Sequence, residues 1–352
     1  MQLIRAMKLL VCFAFLAVLT VKVSDAKLGF HERTQQRIIA DVDPGIDDIE
    51  ALIFLINADQ EGLLKLEAIV VTEGNTGYNS GIRNVFLLLK VLNRLDIPVY
   101  LGSKQALLQH DTPMGGYYGA DGLGDLTWNS SIPVDLLKSE RAFEAIQKLV
   151  KKYPNEVTYM SMGPLTTLGM TIWQYPEVAD NLKQVYAMGG LEYLEAGEFN
   201  VAFDPESVDI VFRSLKSKML LVTWQAGTIN TPKTNWYKNI TDVSNPAWNF
   251  MTRVQDQINT NLFGEDLSNA TWEHCDPIVP GVFLNPKLII ENFISPLKIE
   301  VGRVPSRGVV TNSTLPTVPV NVILEIDYET FLVDYVNVFK NVCKSKHCKD
   351  VD

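Results

Sequence analysis

Four aspartates, Asp41, Asp43, Asp47 and Asp48, fall within eight positions of the stretch RIIADVDPGIDD, straight after an apolar run. Carboxylates crowded this closely repel one another and raise each other's pKa unless something positive sits among them. One such Asp would be read as a solvated turn residue or a helix cap. Four of them, two on the apolar run itself, point to a bound cation. Pro44 and Gly45 turn the chain sharply and so bring Asp43 and Asp48 towards one point. Carboxylate oxygens are hard ligands that suit Ca²⁺ or Mg²⁺ better than Zn²⁺. An EF-hand is excluded, because Ile46 stands where that loop needs glycine.

The elements that must hold these groups follow from periodicity. RIIADV (37–42) reads as a buried strand, and 47–58 as a helix whose acidic start suits its positive end. Further strands are expected at 64–72, 98–102, 157–162, 184–188 and 218–224. Helical patterns lie at 79–93, 139–153, 164–174 and 205–216. This alternation predicts an α/β fold, a single domain with a central mostly parallel sheet flanked by helices. In such sheets ligands bind beyond the carboxyl ends of the strands, where the aspartates stand. Residues 103–133 are rich in Gly and Tyr and read as a long mobile loop, the kind that usually serves function. A helix is expected at 247–262, strands at 296–302 and 318–326, and a closing helix near 328–341.

The first 26 residues are of another kind. Arg5 and Lys8 precede an apolar run of about 13 residues, against the ~20 that span a bilayer, and Ser24-Asp25-Ala26 offers a cleavage site. They read as a signal peptide (1–26) ahead of one domain (27–352), which makes the protein secreted and free of the membrane after cleavage. Its removal leaves 28 basic and 40 acidic residues, a net charge of −12. With no basic cluster, nucleic acid is excluded as a partner. Sequons at Asn129, Asn239, Asn269 and Asn312 suit a secreted glycoprotein. Of four cysteines, Cys12 leaves with the signal, Cys343 and Cys348 are close enough in sequence to pair, and Cys275 is left over.

The stretch DVDPGIDD closely resembles the signature of nucleoside hydrolases, which cleave the N-glycosidic bond of ribonucleosides with a bound Ca²⁺. TEGNTG (72–77), DGLGD (121–125), MGPLTTL (162–168), EFNVAFDPES (198–207), CDP (275–277) and GRVPSRG (302–308) agree in order. The resemblance implies that Asp43, Asp48 and Asp276 hold Ca²⁺ with the Met162 carbonyl, and that Asp43 is the general base acting on a water. It places Asp47, Asn75, Glu198, Asn200 and Asp276 around the ribose. Read singly, these residues would be a cap, turn residues and a surface acid. The implied partner is a small-molecule nucleoside; a homo-oligomer stays open.

Three departures surround the base and the 5′ end. Cys275 stands where many members carry the His that protonates the departing base, as in a subgroup with Cys there. His274 is a poor replacement, since neighbouring side chains on an extended strand point oppositely. Tyr118 stands where His is frequent, and the seven residues between Gly190 and Glu198 are fewer than usual, with no clear counterpart of an Asn that holds the 5′ end. The leaving-group region is therefore drawn around Cys275, Tyr118 and Trp224, with Tyr117 and Trp272 as further stacking candidates and purines weakly preferred. The competing readings are a nucleoside-binding protein with little turnover and a haloacid-dehalogenase-like phosphatase, which also carries D-V-D after a strand.

Overall fold

The computed structural model describes residues 35–352 except 109–115, 191–196, 216–217, 265, 269, 303–305, 315–316, 346 and 352. The expected signal peptide and the Asn269 sequon lie outside the described residues.

Among the described residues nine strands form one sheet: β1 (Gln36–Val42), β2 (Leu64–Val71), β3 (Val99–Leu101), β4 (Val157–Ser161), β5 (Gln184–Met188), β6 (Lys218–Val222), β7 (Ile289–Ile299), β8 (Val310–Asn312) and β9 (Pro319–Ile326). Their spatial order is β3-β2-β1-β4-β5-β6-β9-β7-β8. All neighbours from β3 to β9 run parallel, and β7 lies antiparallel between β9 and β8. β1, β2 and β4 to β6 are apolar runs buried over most of their length, as expected for strands covered on both faces. The chain order reverses between β1 and β4, which opens a crevice at their carboxyl ends. Asp43 and Met162 stand at that crevice, one just past each strand.

Two apolar cores sandwich the sheet. The helix Ile46–Gln60 is buried almost all round, because it packs between the sheet and the helices Pro246–Phe263, Ile278–Leu284 and Tyr328–Val342. Phe54 on it stacks on Phe331, ring centroids 5.9 Å apart; burying one such ring stabilises by roughly 1.5–3 kcal/mol. That packing fixes the helix whose first turn carries Asp47 and Asp48.

Several expected boundaries shift. The strand expected at 296–302 starts earlier, at Ile289, because it pairs with β9 along its length. The three-residue edge strand β8 was not foreseen. The strand expected to reach Trp224 stops at Val222, where Thr223 caps the short helix Trp224–Thr228. Cys343 and Cys348 are disulfide-bonded, and Cys275 is free and buried. Asn129, Asn239 and Asn312 are exposed. Among the described residues no helix is long and apolar enough to cross a membrane.

Candidate active site

The turn after β1 is built by hydrogen bonds from its own helix. The main-chain N–H groups of Asp43 and Gly45 donate to Asp48 Oδ1 and Oδ2 at 3.1 and 2.9 Å, so Asp48 closes half of a capping box. Asn75, from the loop after β2, donates its main-chain N–H to Asp43 Oδ2 at 2.7 Å. Its side-chain amide reaches Asp48 Oδ2 at 3.4 Å. Asp43 itself is wedged between two loops. A side-chain carbon on Gly74 would overlap its carboxylate, and one on Gly163 would stand 2.6 Å from Oδ1. Only glycine permits that approach.

Oxygen atoms of Asp47, Asp48 and Asp276 all lie within 4.8 Å of one another, in a buried cluster able to hold a metal ion. Burial, and then the Asp48 charge, push Asp43 well above the ordinary carboxylate range. Burial and the neighbouring Asp47 push Asp48 up to about 8, and the same two causes lift Asp276 well above its usual value. Asp43 Oδ1 is buried with no hydrogen-bond partner. Crowded, desolvated carboxylates with an orphaned oxygen fit a hard divalent cation, which would remove the repulsion at its source. Asp41 stands apart. Thr72 donates to one of its oxygens at 2.5 Å and Tyr159 to the other at 2.6 Å, so it has its own buried partners, and burial lifts it to about 7. Asp41, one of the four aspartates whose crowding pointed to a cation, is therefore accounted for without one.

Beside the cluster opens a cavity of ≈ 240 Å³ lined by the polar residues Asp47, Asn75, Glu198, Asn200 and Asp276 together with Tyr117, Tyr118, Met188, Phe199 and Trp224. The five residues expected around the ribose thus face one space shared with Tyr118 and Trp224, and Tyr118 reaches Asp47 by a side-chain hydrogen bond. Glu198 is no surface acid. It caps the helix Phe199–Phe203, accepting from the N–H groups of Asn200 and Val201 at 2.9 and 3.2 Å, and takes Gly190 N–H at 3.0 Å. Asn200 donates to the Met162 carbonyl at 2.6 Å and leaves its own amide oxygen buried and unpaired. The Met162 oxygen is thus already engaged, with one lone pair left.

Cys275 is not among the residues lining the cavity. Its sulfur packs on the helix Trp224–Thr228 so tightly that a side-chain carbon at Gly227 would overlap it, and burial pushes the thiol well above its ordinary pKa. His274 points into the protein, its Nδ1 2.8 Å from Glu50 Oε2, with Trp272 against its ring. Trp272 is therefore core packing, and no imidazole among the described residues lines the cavity. Sequence reasoning missed Met188 and Phe199, whose apolar character looked like plain core, and the clamping glycines.

Residues 38–333 match the family model described as "Inosine-uridine preferring nucleoside hydrolase". The chain belongs to the nucleoside hydrolase family. The dehalogenase-like phosphatase alternative falls with that membership. Similar nucleoside hydrolases include uridine nucleosidase 1 of Arabidopsis thaliana, 34% identical over 194 residues, 53% of this chain and 55% of that one. The non-specific ribonucleoside hydrolase RihC of Salmonella newport (strain SL254) is 34% identical over 181 residues, 50% and 57% of the two chains. The chain spans about half the length of the curated relatives it matches. The nucleoside hydrolase fold is shared with the solved structure of a purine-preferring ribonucleoside hydrolase from Gardnerella vaginalis, with TM-score 0.74 and 21% identity over 88% of this chain and 99% of that one.

Proposed function

We propose that this protein hydrolyses the N-glycosidic bond of ribonucleosides, with Ca²⁺ as its ion. The observation that carries the reading is the convergence of Asp43, Asp47, Asp48 and Asp276 at a cavity lined by polar and aromatic side chains together. The ribose sits over the carboxylates and the base lies among Tyr117, Tyr118 and Trp224. When bound, the cation supplies charge neutralisation, a grip on hydroxyl oxygens and a more acidic water. Asp43 accepts a proton from the attacking water through its unpaired Oδ1, while the Asn75 N–H holds the other oxygen in place. The surrounding carboxylates favour the positive charge that builds on the sugar in an oxocarbenium-like transition state. Asp47 and the free amide oxygen of Asn200 accept from ribose hydroxyls. Glu198 orients Asn200 by capping its helix.

Among the described residues no imidazole lines the cavity, and base departure leans on stacking and solvent. Larger purine rings stack better and accept a proton more readily, which supports a weak purine preference. The segment 1–26, the exposed sequons and the disulfide support secretion and glycosylation. The test is ribose release from inosine, guanosine, adenosine, uridine and cytidine by residues 27–352, with Ca²⁺ and with chelator. Release that stops on chelation and returns with Ca²⁺ is expected, purines leading. No release from any nucleoside in the presence of Ca²⁺ would overturn the activity, and uridine at or above inosine would overturn the preference.

A further inference from the structure

We infer that Asn84 is a positioning residue that seats the aromatic wall of the cavity on the aspartate-bearing turn, so that the two halves of the site move as one. Asn84 lies mid-way along the helix Tyr78–Val91 and is buried. Its side-chain amide donates twice, to the Pro44 carbonyl at 2.9 Å and to the Asp121 carbonyl at 2.7 Å. Pro44 belongs to the turn between Asp43 and Asp48. Asp121 belongs to the segment that carries Tyr117 and Tyr118. One amide thus holds both.

The segment is otherwise laced mainly to itself. Gly124 N–H donates to the Tyr118 carbonyl at 2.8 Å, and Asp121 Oδ1 takes the N–H groups of Leu123 and Asp125 at 2.7 and 2.9 Å. The segment's placement depends on a handful of outside ties, among them the Tyr118 hydroxyl on Asp47 and the Tyr118 ring edge-on to His274, centroids 5.9 Å apart. Thr76 gives one, to the Ala120 carbonyl at 3.0 Å, and Asn261 another, to the Gly124 carbonyl at 3.2 Å. Asn84 alone of these three also reaches the turn. The seating is close, because a side-chain carbon on Gly45 would stand 2.7 Å from the Tyr118 ring. A shift of the segment therefore moves that ring relative to Asp47 and Asp48. The Pro44 carbonyl is buried and the Asp121 carbonyl partly so, and an apolar replacement removes the side-chain donor from both.

The role of Asn84 in turnover rests on the nucleosidase reading; its role in seating the segment does not. The experiment uses Asn84→Leu, which keeps the branched shape and removes both donations, and Asn84→Ser as a milder variant should the first fail to fold. Hydrogen exchange reads the seating directly. Faster exchange at Gly119, Gly122 and Gly124, with β1 unchanged, is expected, and unchanged exchange at those glycines would overturn the inference. With inosine, kcat/KM should fall roughly 10- to 100-fold, the scale set by misplacements of about 1 Å. In a Tyr118→Ala background the same substitution should cost several-fold less than in the wild-type background, since the ring that Asn84 seats closest to the turn is gone. Additive losses would overturn that part. A wild-type protein that cleaves no nucleoside would sink the nucleosidase reading and leave the exchange result to decide Asn84.

Discussion

The carboxylate half of the cavity and its aromatic half are held by different means. Asp43, Asp47 and Asp48 stand on one strand end and the first turn of one buried helix, locked by main-chain N–H groups and clamped by Gly74 and Gly163. Tyr117 and Tyr118 stand on a loop, and Trp224 on a helix of five residues. Groups whose charge must be placed to within a fraction of an ångström are set on rigid elements, while those that meet the variable part of a ligand sit on segments that can be re-shaped without disturbing the sheet.

The contrast breaks most severely at Asp43. Asp43→Ala should lose about 3–5 kcal/mol of transition-state stabilisation, as base and ion ligand disappear together. Near-normal ribose release would remove Asp43 from the mechanism. The carboxylate half should also govern stability. Burial lifts Asp41 to about 7 and Asp48 to about 8, from an ordinary 3.8. Both bind protons more tightly folded than unfolded, so in chelated protein their contribution is complete below about pH 3.8 and is lost as the pH rises through 7 to 8. Calorimetry with chelator should show Tm falling between pH 5 and pH 8, and Ca²⁺ at pH 8 should recover most of the loss. A chelated Tm that rises over that range contradicts the clustering.

Sugar recognition tests the boundary between the halves. Deoxyinosine should be cleaved about 100-fold less efficiently than inosine or worse, because a missing 2′-hydroxyl leaves buried polar groups unpaired. Equal kcat/KM would show that Asp47 does not hold that hydroxyl. On the aromatic side, Trp224→Ala should cost about tenfold in kcat/KM, as expected for one lost stacking face, and should change the ranking among bases. An unchanged ranking places the base elsewhere. The smallest effect is expected at Cys275. Cys275→Ala should alter kcat/KM by less than about twofold, because its sulfur faces Gly227 and not the cavity, at a stability cost of about 1 kcal/mol for the lost volume. A tenfold loss would return the thiol to the chemistry.

The same contrast explains what could be read in advance. The carboxylate half was legible because its residues are close in sequence and follow an apolar strand, so local pattern and local geometry coincide. Glu198 and Asn200 were legible only through the EFN resemblance; alone, Glu198 looked like a surface acid, and its capping role depends on a helix too short to show a period. Trp224 was expected in a strand. The signal that turns it is the Thr223 hydroxyl capping the next helix, a local feature that a longer apolar run concealed. Cys275 was placed by motif beside the base, but the motif carries no information on which way a side chain faces once Gly227 makes room for it. Asn84 gave no sign, because one polar residue on an apolar helix reads as tolerance until the two carbonyls it serves are seen. The extent of β7 and the existence of β8 depend on partners far along the chain, which periodicity does not report.

Asp276 comes from a segment more than 200 residues beyond Asp48, yet the two share one cluster. During synthesis, Asp43, Asp47 and Asp48 emerge long before the chain that carries Asp276. High-affinity capture of the cation becomes available only when the late segment docks. A cation held there would act as a latch, coupling segments more than 200 residues apart in the chain.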